Sequence, residues 1–576
     1  MKLKIKGNVN KKNEILDILK TSAIILFIFI IINIAVSSVL FFAHISISNN
    51  NFLIALMLTI IFTIYYFRKK TNNKIIIIAS ILSIIIFITS IFICSKTYDL
   101  TWDGNTYHKL AVGMLKNGWN PIYEKSEDYI ANDIDNIGIK DDGKNSIWIE
   151  HYPKASWIFA ANMYSVTNNI ECSKILNLLM AYICFSIVLS YMNKKMNLIW
   201  ACIIALLVTI NPITIVQTLN FYIDGIMSLT IYMIIFALFD KYINKGKEDN
   251  SDNNLILTLS LILCINLKFT GLIYAAFFCF MFFVLDMYRA YKNKDFTQEF
   301  FRYVKLYTCI VGISVVIIGY SSYIKNQINN GNFFYPLMGK NKVDIMTYNE
   351  PKSFQTRNVL DKFVTSIFGV SENVKSNVTD NNPKTKIPFT IKEKEIEQYN
   401  KPDLRISGFG VWFSGIIIIS ILVIVYQMCK DKDKENNILC LAFAITCSIL
   451  ILLTDGSWWA RYTPYLYLIP IIALYMLVKK GKKEKILAAL LSTLMVINIS
   501  FIFYTTLKTY NEKYTIIKNN INIMKKSDKT IDVYVDDQFS SVLYNLKDNN
   551  IKFKVIKDKA KLKNPQYVNN FYYDKK

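Results

Sequence analysis

The chain holds only three histidines in 576 residues, and none of its ten cysteines stands with them at the spacing of a zinc site. A zinc module is therefore excluded as the organising element. No secretory cleavage site follows the first apolar run, which reads as an anchor that stays in place. The cysteines give no external disulfide framework: Cys94, Cys184, Cys202, Cys264, Cys279, Cys309, Cys429, Cys440 and Cys447 fall in or beside apolar runs, and Cys172 starts another. Internal repeats and low-complexity tracts are missing beyond a general richness in Ile, Asn and Lys.

What is present is apolar sequence in excess of any soluble core. Hydrophobic residues make up 53% of the chain, and the runs are long enough for an all-α polytopic membrane protein. With about 20 apolar residues needed per helical span, about thirteen spans are expected, near 22–43, 52–67, 74–95, 171–192, 197–215, 224–240, 254–267, 269–287, 304–320, 409–428, 437–454, 464–479 and 485–505.

Lysine and arginine orient them, because short basic loops stay on the cytoplasmic side. Lys2, Lys4, Lys6, Lys11, Lys12 and Lys20 precede the first span, and Arg68-Lys69-Lys70, Lys194-Lys195, Lys241 to Lys247, Arg289 to Lys294, Lys430 to Lys434 and Lys479 to Lys485 fall on the same side. The connections 44–51 and 211–223 carry no Lys or Arg. An integral plasma-membrane protein with its N-terminus inside and its C-terminus outside is expected. Residues 1–505 then form a transmembrane domain with external loops 96–170 and 321–408, both too long to be mere connectors. Residues 506–576 form a small extracytoplasmic α/β appendage, in which 531–535, a helix around 540–546 and 551–555 suggest β-α-β.

The net charge of +23 is largely cytoplasmic lysine that topology requires. Anionic membrane lipids, not nucleic acid, are the expected partner. The lysines of the external loops and tail leave anionic wall polymers open as another.

Within the first external loop, Asp103 starts a segment in which Tyr107, Ala111, Met114 and Leu115 recur at helical spacing before Gly118-Trp119-Asn120-Pro121. Asp103 is either the helix N-cap or a general base, and a capping carboxylate stays ionised and can do both. His108 is close by. Further on, Glu150-His151-Tyr152-Pro153-Lys154 leads into a helix with Trp157, Phe159, Met163 and Tyr164 on its apolar side. The expectation there is a helix lying in the outer headgroup layer, with Glu150 and Lys154 near a lipid phosphate and His151 beside them. Snorkelling is the alternative for Lys154.

At these residues the chain resembles the GT-C superfamily of membrane glycosyltransferases, and within it the branch of protein O-mannosyltransferases and lipid A aminoarabinose transferases. Asp103 and Tyr107 match a D-x-x-x-Y loop, Met114-Leu115 through Gly118 to Pro121 an M-L-x-x-G-x-x-x-P segment one residue short, and Glu150, Pro153, Lys154 and Trp157 an E-K-P segment leading to a Trp. Gly104 stands where many relatives carry a second acid, and His151-Tyr152 is an insertion. The resemblance covers about the first 340 residues. It implies a polyprenyl-phosphate sugar as donor, an inverting single displacement and Asp103 as base. The acceptor, whether glycan, lipid or protein, is left open, and so is a divalent metal.

Other polar residues interrupt apolar sequence on the same side. Tyr222 and Asp224 follow Asn211-Pro212, and Lys268 lies between two apolar runs, where a lone ammonium is costly unless paired or solvated. Asn330 to Leu337 reads as an aromatic turn for a sugar or as an interfacial anchor. Arg461-Tyr462 supplies a guanidinium suited to phosphate, with Asp455 as its structural alternative partner. The candidate set is thus Asp103 as catalyst, with Tyr107, His108, Glu150, His151, Lys154, Tyr222, Asp224, Lys268, Arg461 and Tyr462 binding substrate. A transporter or flippase of a lipid-linked saccharide, or a non-catalytic glycolipid-binding relative, is the competing expectation. A flippase would be expected to show symmetric halves or matched broken helices.

Overall fold

The structure is a computed structural model, which describes residues 2–134, 136–140, 143–244, 251–373, 382–430 and 434–574. Residues 245–247 of the basic turn Lys241 to Lys247 and residues 431–433 of the turn Lys430 to Lys434 lie outside the described residues. Ten helices among the described residues are long and apolar enough to cross a membrane: Asn13–Phe42, Asn49–Phe67, Asn73–Ser95, Ile170–Asn193, Asp224–Ile243, Phe269–Lys292, Phe296–Ile318, Phe413–Lys430, Lys434–Leu453 and Lys482–Lys525. Three further segments expected as spans form the shorter apolar helices Leu198–Thr209, Ser251–Leu267 and Pro464–Val478.

The faces of these helices are arranged for lipid. Helix Asn49–Phe67 buries Asn51, Ala55, Thr59, Thr63 and Phe67, a mostly small or polar stripe at four-residue spacing. Its exposed side carries Leu53, Met57, Ile60, Ile61 and Ile64. Helix Asn73–Ser95 likewise buries Ala79, Ser83, Ser90 and Cys94 and exposes Ile77, Ile81, Ile84, Ile85, Ile88 and Phe92. In water such a surface would aggregate; in a bilayer small residues let helices approach while large apolar ones meet the tails.

The first helix packs against Asn49–Phe67, Asn73–Ser95 and Ile175–Asn193, and Asp224–Ile243 joins that core to Ser251–Leu267 and Phe269–Lys292. One end of the bundle is tied by basic turns. Lys20 and Lys70 meet Asp252, and Lys194 and Lys195 each lie 3.6 Å from buried Asp240.

The two long loops and the C-terminal segment gather at the other end. Helix Ala155–Thr167 does not turn the expected apolar stripe outward to lipid. Eleven of its residues, Ala155 to Ser165, are buried, because it packs between Lys109–Lys116 and the bundle's first two helices.

No break separates the last helix from the C-terminal segment at residue 506. That helix runs 44 residues from Lys482 to Lys525, about 66 Å at 1.5 Å per residue. Beyond it stand four strands, β1 (Ile531–Val535), β2 (Phe553–Val555), β3 (Pro565–Val568) and β4 (Phe571–Asp574), in the order β2-β1-β4-β3. β1 and β2 pair parallel across the helix Leu543–Asp548, and the β3–β4 hairpin adds antiparallel.

This small unit docks on the loop 96–170 and the helix start just after it through buried polar contacts. Lys109 Nζ donates to Glu171 Oε1 (2.8 Å), Asn105 Oδ1 (2.8 Å) and Asn545 Oδ1 (3.0 Å). Glu171 also accepts from Lys174, at 2.5 Å. Asp548 accepts from Tyr164 Oη and from the Ile170 amide. Gly113 belongs to the same contact, since a Cβ there would lie 2.1 Å from the Tyr544 ring.

Candidate functional site

Asp99 sets the backbone that carries Asp103. Its carboxylate accepts from the Thr101 amide and hydroxyl at one oxygen (2.7 and 2.6 Å) and from the Phe221 amide at the other (2.8 Å). Thr101 Oγ1 in turn accepts from the Gly104 amide. Thr101, not Asp103, therefore satisfies the start of this helix. Gly104 is required beside it, because a Cβ would fall 2.1 Å from Asp99 Oδ2. A second acid at that position would collide with the anchor.

Asp103 has helical backbone angles and makes no capping bond, so its carboxylate is left for other work. The next turn, Gly104–His108, is a π-helix, a form that often marks functional positions.

Arg461 stands opposite. Its Nη1 lies 3.3 Å from Asp403 Oδ1, 3.4 Å from Asp103 Oδ2 and 3.6 Å from Asp224 Oδ2, and its guanidinium covers the Trp459 ring at 4.1 Å. Lys268 Nζ donates to Asp224 Oδ1 at 2.7 Å and lies 4.3 Å from the centre of the Tyr462 ring. Tyr222 Oη donates to Asp403 Oδ1 at 3.2 Å. Asp455, the other acid near Arg461 in sequence, pairs with Lys362 at 2.9 Å instead.

Tyr107 and His108 close the side of the cavity nearest Asp103, their rings 4.3 Å apart. Trp157 Nε1 donates to His108 Nδ1 at 2.7 Å, which makes that nitrogen the acceptor. Burial pushes the imidazole down to about 3. His108 is thus a neutral wall. Asp103 moves the other way: removal from bulk water raises its carboxyl above the usual 3.8, against the pull of Arg461 and with a push from Asp403 and Asp224. About a quarter of its side chain, 24%, remains open.

The cluster around Arg461 lines one cavity of about 530 Å³. Asp103, Tyr107, His108, Tyr222, Asp224, Lys268, Arg461 and Tyr462 are brought together in it. Glu150, His151 and Lys154 are not. Glu150 Oε1 accepts from Lys325 at 2.9 Å, and His151 Nδ1 lies 2.7 Å from Asn326 Oδ1. Lys154 Nζ donates to the carbonyls of Glu150 (2.8 Å) and Tyr152 (3.0 Å), and burial pushes it down to about 7. These three fasten the first loop to the start of the second.

Asp403, Arg405 and Trp459 escaped the sequence reading. Arg405 Nη2 lies 3.7 Å from Asp403 Oδ2, and its guanidinium lies 4.3 Å from the centre of the Trp459 ring, while Trp459 Nε1 donates to the Asp403 carbonyl. Asp403 and Arg405 flank Leu404, which is fully buried with φ +50°. A non-glycine residue held in that region is often part of a site. The sequence signal was the Asp-x-Arg pair just ahead of an apolar span, obscured by the many charges before it.

The arrangement suits binding a polar, hydroxyl-rich molecule against aromatic faces, with two partly open carboxylates, Asp103 and Asp403, and the basic groups of Arg461 and Lys268 beside them. Among the described residues no three His, Cys, Asp or Glu side chains converge as a metal would require; the three carboxylates surround a guanidinium, which takes the place a cation would fill. No protein-family model matches the chain, and no curated protein matches it.

Proposed function

We propose that the protein is a membrane glycosyltransferase of the GT-C kind, resident in the plasma membrane with its N-terminus cytoplasmic and the Asp103 cavity outside. It moves a sugar from a polyprenyl-phosphate donor to an extracytoplasmic acceptor. The observation that carries this reading is the placing of a partly open carboxylate free of any capping bond, Asp103, 3.4 Å from a guanidinium that lies over an aromatic ring.

In this reaction the acceptor oxygen attacks the anomeric carbon and gives its proton to Asp103 as the new C–O bond forms. The bond between that carbon and the phosphate oxygen breaks on the opposite side, which inverts the configuration. The lipid phosphate leaves with the bonding pair, and Arg461 and Lys268 balance its charge. A phosphate leaving group needs no general acid, so two flanking carboxylic acids of the hydrolase type are unnecessary. Tyr107, Tyr222 and Tyr462 present faces and hydroxyls to the sugar.

The test uses full-length protein in vesicles with a radiolabelled polyprenyl-phosphate hexose and extracted envelope glycans. Wild type is expected to release polyprenyl phosphate and label the glycan, while Asp103→Asn binds donor but does neither. The effect sought is at least the hundredfold typical of a lost general base. Equal turnover by Asp103→Asn removes it as the base. Movement of intact donor across the vesicle by both proteins, without transfer, replaces the enzyme with a transporter.

A further inference from the structure

The cavity has more positive charge than its inner cluster uses. Asp103, Asp224 and Asp403 are the only carboxylates lining it among the described residues, and Arg461, Lys268 and Arg405 stand beside them. Two further cations line the same cavity, Lys401 and Lys513. Both are exposed, and among the described residues neither makes an ion pair. The inner cluster is therefore balanced, and the outer arm carries the surplus.

Lys513 lies eight residues beyond Thr505, where the apolar run of the long helix ends, which is about 12 Å along the axis at 1.5 Å per residue. A lipid-linked phosphate is confined to the headgroup layer. The surplus charge thus stands beyond the apolar run at Lys513 and is open to whatever enters the cavity from solvent. Asn400, Asn570, Thr509 and Tyr510 line the same cavity, giving amide and hydroxyl groups suited to saccharide hydroxyls.

We infer that this arm binds an anionic saccharide, held through carboxylates or phosphodiesters by Lys401 and Lys513, and that this is the acceptor of the transfer reaction. The second half rests on the glycosyltransferase reading. The first half does not, because binding needs neither donor nor turnover.

The experiment measures binding of three end-labelled probes of matched length to full-length protein in detergent, over a series of salt concentrations: a glycerol phosphate oligomer, a galacturonate oligomer and a neutral dextran oligomer. Wild type is expected to bind at least one anionic probe more tightly than dextran, with affinity falling as salt rises. The double variant Lys401→Gln/Lys513→Gln is expected to lose about tenfold to hundredfold of that affinity, as for one to two charge-assisted contacts. Lys552→Gln/Lys554→Gln, on exposed positions outside the cavity, should change nothing. Preference for the phosphate probe identifies a polyol phosphate, and preference for the galacturonate a uronic acid. Equal binding of all three probes, no binding of either anion, or full affinity in the double variant overturns the inference. Lys513→Glu, a charge reversal at an exposed site, gives a second check: it should weaken anion binding further than Gln while the melting temperature stays that of wild type. Such an outcome leaves the Asp103 reaction standing, and loss of that reaction leaves anion binding intact.

Discussion

Arg461 faces Asp103 at 3.4 Å while its guanidinium plane covers Trp459 at 4.1 Å. The ring fixes the plane from one side, and the three carboxylates take up its edge.

Arg461→Lys should accordingly fail to replace the native residue. An ammonium has neither the planar fork nor the stacking face. Donor use by Arg461→Lys and Arg461→Gln is expected to fall about tenfold to hundredfold in each, and both should lose stability because buried carboxylates are left with less positive charge. Lys268→Gln should weaken donor use to a similar extent, since it also removes the partner of buried Asp224. Donor-concentration kinetics with saturating acceptor, together with melting curves, check this. Native donor dependence in Arg461→Lys would show that charge alone suffices.

The pH dependence follows from Asp103. Its folded-state pKa is raised above 3.8, so the folded protein holds this proton to higher pH than the unfolded chain does. The stability linked to that proton is present below the window and falls as pH rises through it, whereas base catalysis appears over the same rise. The acid limb of the rate profile should therefore lie above the ordinary carboxylate value. His108, pushed down to about 3, should add no limb near 6.5. Rates measured across the acid range check both statements, and a limb that moves with His108→Gln would assign it to the imidazole instead.

Lys154 is expected to matter for folding and not for donor recognition. Its ammonium satisfies two carbonyls in a buried corner. Lys154→Met should cost about 1–3 kcal/mol of stability through unsatisfied polar groups, with the donor KM of the folded fraction unchanged. A raised KM at native melting temperature would return Lys154 to the site.

Orientation can be tested by labelling intact cells. Ser540 is unsuitable because it is buried, its hydroxyl donating to the Lys140 carbonyl. Lys554 on β2 is exposed. Lys554→Cys should react with a membrane-impermeant maleimide from outside. Reaction only after permeabilisation would invert the topology.

The helical bundle and the cluster around Asp103 were legible because both are written in local pattern. Apolar runs mark the helices, and a charged residue that interrupts such runs, as Lys268 does, calls for a partner. The Glu150 to Lys154 segment misled for a related reason. It follows a matching motif, but its partners, Lys325, Asn326 and Ser322, come from a distant part of the chain. Asp403 and Arg405 were hidden because only the left-handed turn at Leu404 brings them to Arg461. The β3–β4 hairpin was missed because Tyr567 and Tyr572 give it little alternation of burial against a sheet only four strands wide.

The unbroken helix from Lys482 to Lys525 acts as a ruler between bilayer and sheet. One inserted residue after Thr505 would turn everything beyond it by about 100° and lift it about 1.5 Å. Tyr510 and Lys513 would then swing out of the cavity wall, and Asn545 would lose Lys109 and Glu171 unless the helix unwound to restore them. The chain length of this rod, more than its side chains, sets the height at which the outer wall of the cavity stands above the membrane.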